Sequence, residues 1–448
     1  MAVEAAGPPP AKLKPADQVE MVDGRKYAGL IESEDNVWIH LAQLKCRDGR
    51  PMHMVIRSLD RAKVHSVVRL DPARRSALRR DYGEFRNRAR IEAGRKEAIE
   101  LRVVQKGGTR YRQYHGAWFT LESSVNEETT RWLVVRIEQI FTAYRQILPP
   151  RTKPQSRLRI VVLGSMAEYQ AYLEPMGLAI KNPACFIGDD NLIVAGSELT
   201  PFAAELAKIK THHDRLRKHL ETKRKQLIAE LAEEAREARE AGLAPAEIAK
   251  RQQLKRNKAE REIKKLEAEM DSAERTNERK FEQVTRRMFP RLYHEAFHAY
   301  LENYVYPGEK FDVPRWLNEG LAVMFEAGFL EGATLRVDAP NRPALQRLKA
   351  DLKGGQPLPL EELLCADQGV FISRHHSDVA TSGRHYVYSW GLAYYLTFPM
   401  RRLGSASLDQ YASKPAKDTT PVVRFEKLVG MPLADFQRRW RAYILNLR

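Results

Sequence analysis

Alternating apolar and polar residues near the start of the chain predict short β-strands. The alternation begins at Val19 and ends near Leu70, with the two-residue period of strands that bury one face. Asp-Gly pairs at positions 23–24 and 48–49 are typical of tight hairpin turns. We therefore expect a small β unit of the SH3-like type over residues 18–71.

The segments on either side of this unit have different patterns. Residues 1–17 are rich in proline and alanine and predict a disordered tail. Residues 72–98 are basic, with a helical pattern from about Pro72, and predict a solvated connecting helix. The arginines there could also face phosphates, so binding of nucleic acid or another anionic surface through residues 45–113 stays open as the weaker alternative.

Residues 99–200 contain both helical and strand patterns of apolar residues, which predict an α/β lobe. The stretch "EETTRWLVVRIEQIFTAYRQIL" has the pattern of an amphipathic helix. The stretches "RLRIVVLG" and "NLIVAG" are nearly all apolar and predict buried strands, the second over residues 191–196.

A long charged segment follows over residues 201–289, with almost no glycine or proline. Its apolar positions step by fours and threes, which is the heptad spacing of coiled coils. The break "AGLAP" at residues 241–245 is the one good turn signal in the segment. We expect two long helices that fold back as an antiparallel coiled-coil hairpin. Parallel self-association, or pairing with another coiled-coil partner, is the competing arrangement.

Composition and charge limit the class of protein. A chain of 448 residues with 43% hydrophobic and 30% charged residues predicts a globular protein with more than one structural unit. The formal net charge of +17 permits attraction to anionic partners, although solubility alone would also account for it. Cys46, Cys185 and Cys365 are few and far apart, which excludes a disulfide framework and a thiolate metal site.

Two expectations concern the compartment. No apolar run is long enough to span a bilayer. The first residues have no apolar core of the signal-peptide kind, so the chain as printed predicts a cytoplasmic protein. It would be an exported protein if a signal segment had been removed.

An H-E-x-x-H pattern lies in "RLYHEAFHAY", residues 291–300. Pro290 predicts a new or bent helix from about that residue, because proline is tolerated only in the first turn. On such a helix His294 and His298 project from one face and can bind one metal ion. Glu295 can approach a water on that ion without being a ligand. A core helix that carries two hydrogen-bonded histidines is the alternative.

A carboxylate further along the chain favours the metal site. Glu319 lies near the start of an apolar helical stretch in "VPRWLNEGLAVMFEAG", residues 313–328. Two histidines and one carboxylate are the ligand set of hydrolytic zinc sites, with the fourth position left for water. Such a site keeps enough positive charge to lower the pKa of the bound water towards about 7.

These motifs resemble those of a known group of enzymes. "HEAFH" followed by "WLNEGLA" resembles the gluzincin, or thermolysin-like, branch of zinc peptidases. "WLNEG" is similar to the corresponding block of the aminopeptidase N family. The wider layout most resembles an uncharacterised bacterial family of peptidase MA-like proteins. The resemblance covers about residues 115–445 and is specific over 294–326.

The resemblance implies the composition of a catalytic site. Zn²⁺ would be bound by His294, His298 and Glu319, and Glu295 would be the general base. There is no block of the G-A-M-E-N type, which holds the free amine of the substrate in aminopeptidase N relatives. Aminopeptidase specificity is therefore not implied.

A second departure concerns the support of a zinc histidine. Thermolysin carries an aspartate four residues after the third ligand for this purpose, whereas this chain has Val323. Glu326, on roughly the same helix face as Glu319, is a candidate substitute. It could equally be an ordinary surface glutamate.

A gluzincin also needs a hydrogen-bond donor for the oxyanion that forms on the scissile carbonyl. The stretch "RHYVYSWGLAYYL" offers Tyr386, where the related bacterial family carries a tyrosine. Tyr388 and His385 are the possible replacements. The alternative is that these aromatic residues only cap and pack their helix.

A strand that binds substrate is implied in the same way. In gluzincins an edge strand beside the catalytic helix pairs with the substrate backbone. Leu192, Ile193, Val194 and Ala195 are the candidates, from the resemblance and the order in the chain alone. An interior strand without a ligand is the alternative.

The patterns together predict an α+β fold with a gluzincin-type zinc peptidase core, an inserted coiled-coil hairpin and a small N-terminal β unit. Residues 290–448 would form a helical active-site lobe. The leading hypothesis is a zinc-dependent metallopeptidase-like hydrolase that acts on a peptide or protein. The alternative is a non-catalytic zinc-binding scaffold that recruits partners through the hairpin and the β unit. Glu295 favours catalysis, because a structural site needs no base.

Overall fold

A computed structural model describes residues 15–447 except for 48–49, 155, 332–333, 373–378 and 417–418. The chain is 58% helix and 18% strand, which confirms a mixed α+β fold. The predicted tail lies outside the described residues as far as position 14, and so does the predicted turn at 48–49. None of the described helices is long and apolar enough to cross a bilayer.

The N-terminal unit is an antiparallel sheet with the strand order β4-β3-β2-β1-β5. Its strands are β1 (Asp17–Met21), β2 (Lys26–Glu34), β3 (Trp38–Arg47), β4 (Arg50–Asp60) and β5 (Val64–Val68), with a 3₁₀ turn at Arg61–Lys63. Alternate residues such as Val19, Ile39 and Leu41 are fully buried on one face, as the period of two requires. The antiparallel β unit is therefore present, and its resemblance to SH3 domains stays a prediction.

The connecting segment contains two helices rather than one. They are α1 (Pro72–Arg86) and α2 (Arg88–Glu97). Helix α1 is exposed over most of its length, but Leu78 and Tyr82 are buried against the second face of the sheet, so its role as a solvated connecting helix stays a prediction. Asp17 holds this junction together. Its carboxylate is completely buried and accepts hydrogen bonds from Leu70 N and from Ile31 N, each at 3.1 Å.

The second sheet has the strand order β10-β11-β9-β8-β7-β6. The elements of this region are β6 (Arg102–Lys106), β7 (Thr109–His115), β8 (Phe119–Ser123), α3 (Glu127–Ile147), β9 (Leu158–Leu163), α4 (Met166–Leu173), a 3₁₀ turn (Glu174–Met176), β10 (Ala184–Ile187) and β11 (Leu192–Gly196). Strand β9 runs parallel to both β8 and β11, whereas the other pairs are antiparallel. Strand β10 therefore lies at one edge of the sheet.

Two long helices, α5 (Leu199–Glu240) and α6 (Pro245–Thr285), leave this sheet and return to the helical part of the chain. Ion pairs join Glu205 to Lys280 and Lys223 to Glu262. Glu205 and Lys280 both lie far from the turn between the helices, whereas Lys223 and Glu262 both lie nearer to it. The helices therefore lie side by side and antiparallel. Coiled-coil packing in the heptad sense stays a prediction.

The remaining residues are mostly helical. The elements are α7 (Met288–Tyr300), a π-helical turn (Leu301–Val305), α8 (Arg315–Glu326), β12 (Phe329–Glu331), β13 (Thr334–Arg336), α9 (Arg342–Lys353), α10 (Leu360–Cys365), α11 (Gln368–Ile372), α12 (Val379–Thr397), α13 (Ala406–Ala412), α14 (Pro421–Val429) and α15 (Leu433–Asn446). Helix α7 begins two residues before the predicted start at Pro290, which falls in its first turn. Proline is tolerated there because the first amides of a helix have no intrahelical acceptor.

The central core packs α7 between α3 and α8. The hydroxyl of Tyr144 on α3 donates to Tyr293 O at 2.6 Å, and the ring of Phe297 stacks on Phe325 of α8 with 4.8 Å between centroids. On its other side α8 meets α12 at Gly320, where an added Cβ would lie 2.3 Å from Ser389 O. The absent side chain thus allows the two helix backbones to approach closely.

This contact gives a testable prediction. We expect Gly320→Ala to lower the free energy of unfolding by about 1–3 kcal/mol, because the Cβ would meet backbone atoms that cannot move aside. The matched control is Gly83→Ala on α1, where an added Cβ meets nothing within 4 Å. That change should be neutral or stabilising, by up to about 1 kcal/mol. Denaturant unfolding measures both, and equal stability of the two variants would contradict the prediction.

Candidate metal centre

Helix α7 places three predicted site residues on buried faces. His294 and Glu295 are 1% and 7% exposed, and His298 lies one turn after His294. The two imidazole rings have centroids 4.7 Å apart and planes 84° apart. The four-residue spacing thus brings both rings to one face of the helix, as predicted.

Helix α8 brings the predicted third ligand to the same place. Glu319 is 1% exposed. Its Oε2 lies 3.2 Å from His294 Nε2, and its Oε1 lies 3.7 Å from His298 Nε2. One ligand atom from each of the three residues lies within 4.8 Å of the other two. The cluster could therefore hold a metal ion.

The outer nitrogens of both rings have acceptors, which fixes the orientation of the rings. His294 Nδ1 lies 3.1 Å from Glu326 Oε2, and His298 Nδ1 lies 2.8 Å from Asn318 Oδ1. A carboxylate or amide oxygen can only accept, so each Nδ1 carries the proton in this arrangement. Each Nε2 then presents a lone pair towards Glu319. Glu326 thus takes the supporting position that was considered for it from the sequence.

The donor set fits a cation. Glu319 Oε2 is buried and has no hydrogen-bond partner among the described residues, although His294 Nε2 lies close to it. When both rings are neutral, two imidazole lone pairs and a carboxylate oxygen meet there. Burial of such a set is unfavourable unless a cation or a proton compensates it. Imidazole and carboxylate ligands suit several divalent ions, including zinc.

Burial and neighbouring charges shift the pKa of each of the three ligands. Burial alone would raise the pKa of Glu319, but His298, His294 and Arg315 hold that pKa well below its usual range. Burial lowers the pKa of His298 below its ordinary value. Burial also opposes the charged form of His294, but contacts with Glu319 and Glu326 outweigh burial and raise its pKa. A metal ion at this site would therefore compete with a proton on His294.

Glu295 lies beside the cluster but is not one of its ligands. Its Oε1 is paired with Arg291 Nη2 at 2.6 Å, and its Oε2 accepts a hydrogen bond from Phe186 N at 3.1 Å. Arg291 lies one turn before it on α7, whereas Phe186 belongs to the edge strand β10. Both carboxylate oxygens are thus engaged.

Tyr386 on α12 lines the same cleft as the histidines and Glu295. Its hydroxyl donates to Phe371 O at 3.1 Å. Tyr388 is fully buried, and its hydroxyl contacts Asp351 and accepts from Leu358 N. Tyr388 therefore belongs to the core, and of the two tyrosines Tyr386 is the one that the structure brings to the cleft.

The second possible replacement, His385, has a different environment. It is buried, and its Nε2 lies 3.7 Å from Glu362. It is not among the residues that line the cleft.

The expectation of an edge strand at Leu192, Ile193, Val194 and Ala195 is wrong. These residues form β11, which pairs with β9 on one side and with β10 on the other. The backbone groups of β11 are therefore directed to neighbouring strands. The edge strand beside α7 is β10, because the hairpin of β10 and β11 folds back so that the earlier strand lies outside.

Three contacts of the site were not predicted from the sequence. Arg291 pairs with Glu295, and Arg315 Nη2 lies 2.9 Å from Glu319 Oε1. Both arginines stand four residues before their carboxylate, and this spacing is a signal that the sequence did contain. The residue that supports His298, Asn318, carries no comparable signal beyond its place next to Glu319.

The site opens into a cleft of about 1040 Å³. The metal-ligand cluster, Glu295 and Tyr386 line it, together with the segment 177–182 and strand β10. A space of this size lies at the upper end of the usual range for ligand pockets, which is about 300–1,000 Å³. It can accommodate several residues of an extended chain.

The chain is thus a mixed α+β protein with a buried cluster of two histidines and one glutamate that could hold a metal ion. Comparison with known families gives one match, over residues 290–415, to a family described as "Protein of unknown function (DUF1570)". The match covers less than a third of the chain and includes the three cluster residues, Glu295 and Tyr386. No curated protein matches the chain.

Metal content provides the first test of the site. We expect the purified protein to retain about one divalent ion per chain. His294→Ala and His298→Ala should each reduce this to near zero, because either change removes a ligand. The control is His212→Ala, an exposed histidine on α5. Elemental analysis after dialysis measures the content, and metal retained by both cluster variants would contradict the prediction.

The residues behind the histidines provide a second test. We expect Glu326→Ala and Asn318→Ala each to weaken metal binding by about 10–100-fold, because the rings lose the acceptors that orient them. Glu361→Ala, at an exposed position on α10, is the matched control. Competition with a chelator of known affinity measures the change. Affinities equal to that of the control would show that these contacts do not support the site.

Proposed function

We propose that this protein is a zinc-dependent metallopeptidase-like hydrolase of the gluzincin type. One observation carries the proposal. Three ligand atoms, from His294, His298 and Glu319, lie within 4.8 Å of one another, and the carboxylate of Glu295 lies in the same cleft. This is the residue set of a hydrolytic zinc site together with a base.

The cluster suits zinc because it offers two neutral imidazoles and one carboxylate. The chemistry that zinc supplies at such a site is the activation of a water and the polarisation of a carbonyl. The protein provides the ligands, their orientation and a buried environment. Arg315 limits the negative charge of Glu319 from the outer side.

Glu295 would act as general base and then as general acid. As base it accepts a proton from water, and as acid it returns this proton to the leaving nitrogen of the amide. Arg291 holds Oε1 at 2.6 Å, so Oε2 is the oxygen available for proton transfer once Phe186 N is given another acceptor.

Tyr386 would donate a hydrogen bond to the oxyanion of the tetrahedral intermediate. Its hydroxyl currently donates to Phe371 O, and it lines the cleft that contains the cluster. Rotation towards the cleft would exchange one carbonyl acceptor for a more strongly charged one. The exchange supplies a favourable interaction that exists only during the reaction.

The substrate would be a peptide bound along β10. That strand is short, lies at the edge of its sheet and faces α7. Edge strands bind extended peptides through backbone hydrogen bonds. The role that the resemblance implied for residues 192–195 thus passes to residues 184–187.

A second candidate function is a zinc-binding scaffold without catalysis. The observation that favours it is that both oxygens of Glu295 are engaged, by Arg291 and by Phe186. A base held in this way must be released before it can act. The long hairpin of α5 and α6 would then serve as the surface for partners.

Hydrolysis by the wild type and by two variants distinguishes these functions. We expect chelator-sensitive cleavage of a mixed peptide library by the wild type. Glu295→Gln should lower kcat by about 10²–10⁴-fold through loss of the base. Tyr386→Phe should lower kcat by about 10²-fold or more through loss of an oxyanion donor. Mass spectrometry of the products measures the cleavage.

Metal content is the necessary control for both variants, because neither change removes a ligand and both proteins should retain the ion. Tyr443→Phe, in which the hydroxyl lost is remote in sequence and absent from the cleft lining, controls for a general effect of tyrosine substitution. Absence of hydrolysis by metal-loaded wild type would favour the scaffold. Normal turnover by Tyr386→Phe would remove Tyr386 from the mechanism.

A further inference from the structure

We propose that Glu295 is held in a resting position by the backbone N–H of Phe186, and that the backbone of an extended peptide releases it. This inference rests on the proposed function and goes beyond it, because it makes the general base dependent on how the substrate binds. It also specifies the class of substrate. The peptide must be long enough to pair with β10.

The contacts of Glu295 are the first support. Arg291 Nη2 holds Oε1 at 2.6 Å, and Phe186 N donates to Oε2 at 3.1 Å. The carboxylate is 7% exposed. The lone pair of Oε2 that faces the Phe186 N–H is therefore occupied in this arrangement. The resting carboxylate is thus restrained from two sides.

The pairing of β10 supplies the second support. Gly196 N donates to Pro183 O at 2.9 Å, so residues 183 and 196 form a hydrogen-bonded pair. Such pairs alternate along antiparallel strands. The next pair in register, Ala184 with Ala195, is therefore not hydrogen-bonded, and the same holds for Phe186 with Ile193. Ala184 and Phe186 consequently direct their backbone groups away from β11, towards α7 and the cleft.

These two observations place Glu295 and a substrate in competition for one donor. A peptide that adds to the edge of β10 needs the outward N–H of Phe186 for one of its carbonyls. When that carbonyl takes the N–H, Oε2 of Glu295 loses its partner, whereas Oε1 stays paired with Arg291. Oε2 is then free to accept a proton from water. No covalent bond changes in this step, which exchanges one hydrogen-bond acceptor for another.

The protein would therefore select substrates by their backbone hydrogen bond to β10 rather than by the identity of a side chain. A short amide that reaches the reaction centre but not Phe186 leaves Glu295 restrained, so it is cleaved slowly even when it binds. An extended polypeptide releases Glu295 because its own carbonyl replaces the carboxylate as the acceptor of the Phe186 N–H. The restraint of Glu295 thereby lowers the rate at which small amides are hydrolysed.

Two variants that lack the general base test the release of residue 295 from Phe186 N separately from catalysis. Glu295→Gln retains an amide oxygen that can accept from Phe186 N, whereas Glu295→Ala removes the competitor altogether. Neither has the base, so a bound peptide remains intact during the measurement. The probe is the tightest-binding member of a fluorescein-labelled decapeptide library, selected on Glu295→Gln. N-acetyl-leucine amide is the short control compound.

We expect the decapeptide to bind Glu295→Ala about tenfold more tightly than Glu295→Gln, because the peptide no longer displaces an existing hydrogen bond. The short amide should bind both equally. Fluorescence anisotropy and competition measure these affinities, with metal-loaded protein and again after chelation. In a Phe186→Pro background, which removes the N–H at an edge position where proline is tolerated, the difference should disappear.

Hydrogen exchange gives a readout that depends on neither metal nor peptide. The Phe186 amide should exchange about tenfold faster in Glu295→Ala than in the wild type or Glu295→Gln, because it has lost its acceptor. Mass spectrometry with residue-level fragmentation resolves this amide. Equal exchange in the Ala and Gln variants would overturn the resting contact.

The other outcomes of the affinity and hydrolysis measurements also test the proposal. Equal decapeptide affinity for the Ala and Gln variants, or binding of no library member to any variant, would overturn release by substrate. A tenfold difference together with no hydrolysis by metal-loaded wild type would support competition for Phe186 while rejecting the peptidase assignment. The two proposals therefore fail separately.

Discussion

The meeting of two imidazole nitrogens and a carboxylate inside the protein is the constraint on which the site depends. These side chains are mostly buried, so the lone pairs of His294, His298 and Glu319 need a compensating positive charge. The surrounding residues are arranged accordingly. Glu326 and Asn318 accept from the outer nitrogens and turn both inner ones towards Glu319. Next to Glu319, Gly320 allows the backbones of α8 and α12 to pack closely.

The ligand cluster was predictable from the sequence because each ligand lies in a short motif that can be recognised within a single helix. The spacing of His294 and His298 determines their common face once a helix is assumed, and Glu319 follows in a second helix with its own apolar pattern. The mixed fold and the antiparallel N-terminal sheet follow from the periods of two and 3.6 in the same way. The packing of Leu78 and Tyr82 on the sheet could not be read from the sequence of α1, because the basic residues of this helix outnumber them.

The position of the edge strand was not predictable in this way. Residues 184–187 and 192–196 are both apolar and short, and chain order does not show which of two hairpin strands pairs with the earlier β9. That choice depends on long-range packing, and the structure places β11 inside. The contact of Phe186 N with Glu295 exists only because of this placement, so it could not be inferred from motifs.

The long insertion of α5 and α6 is joined to the rest of the protein through a narrow base. Ser197 Oγ, just before α5, donates to Val284 O near the end of α6 at 2.5 Å, so the chain leaves and re-enters at nearly the same point. Insertions joined in this manner can change in length without moving the elements that precede and follow them. A change in the length of α5 and α6 beyond this base would therefore leave the geometry around Glu295 unchanged.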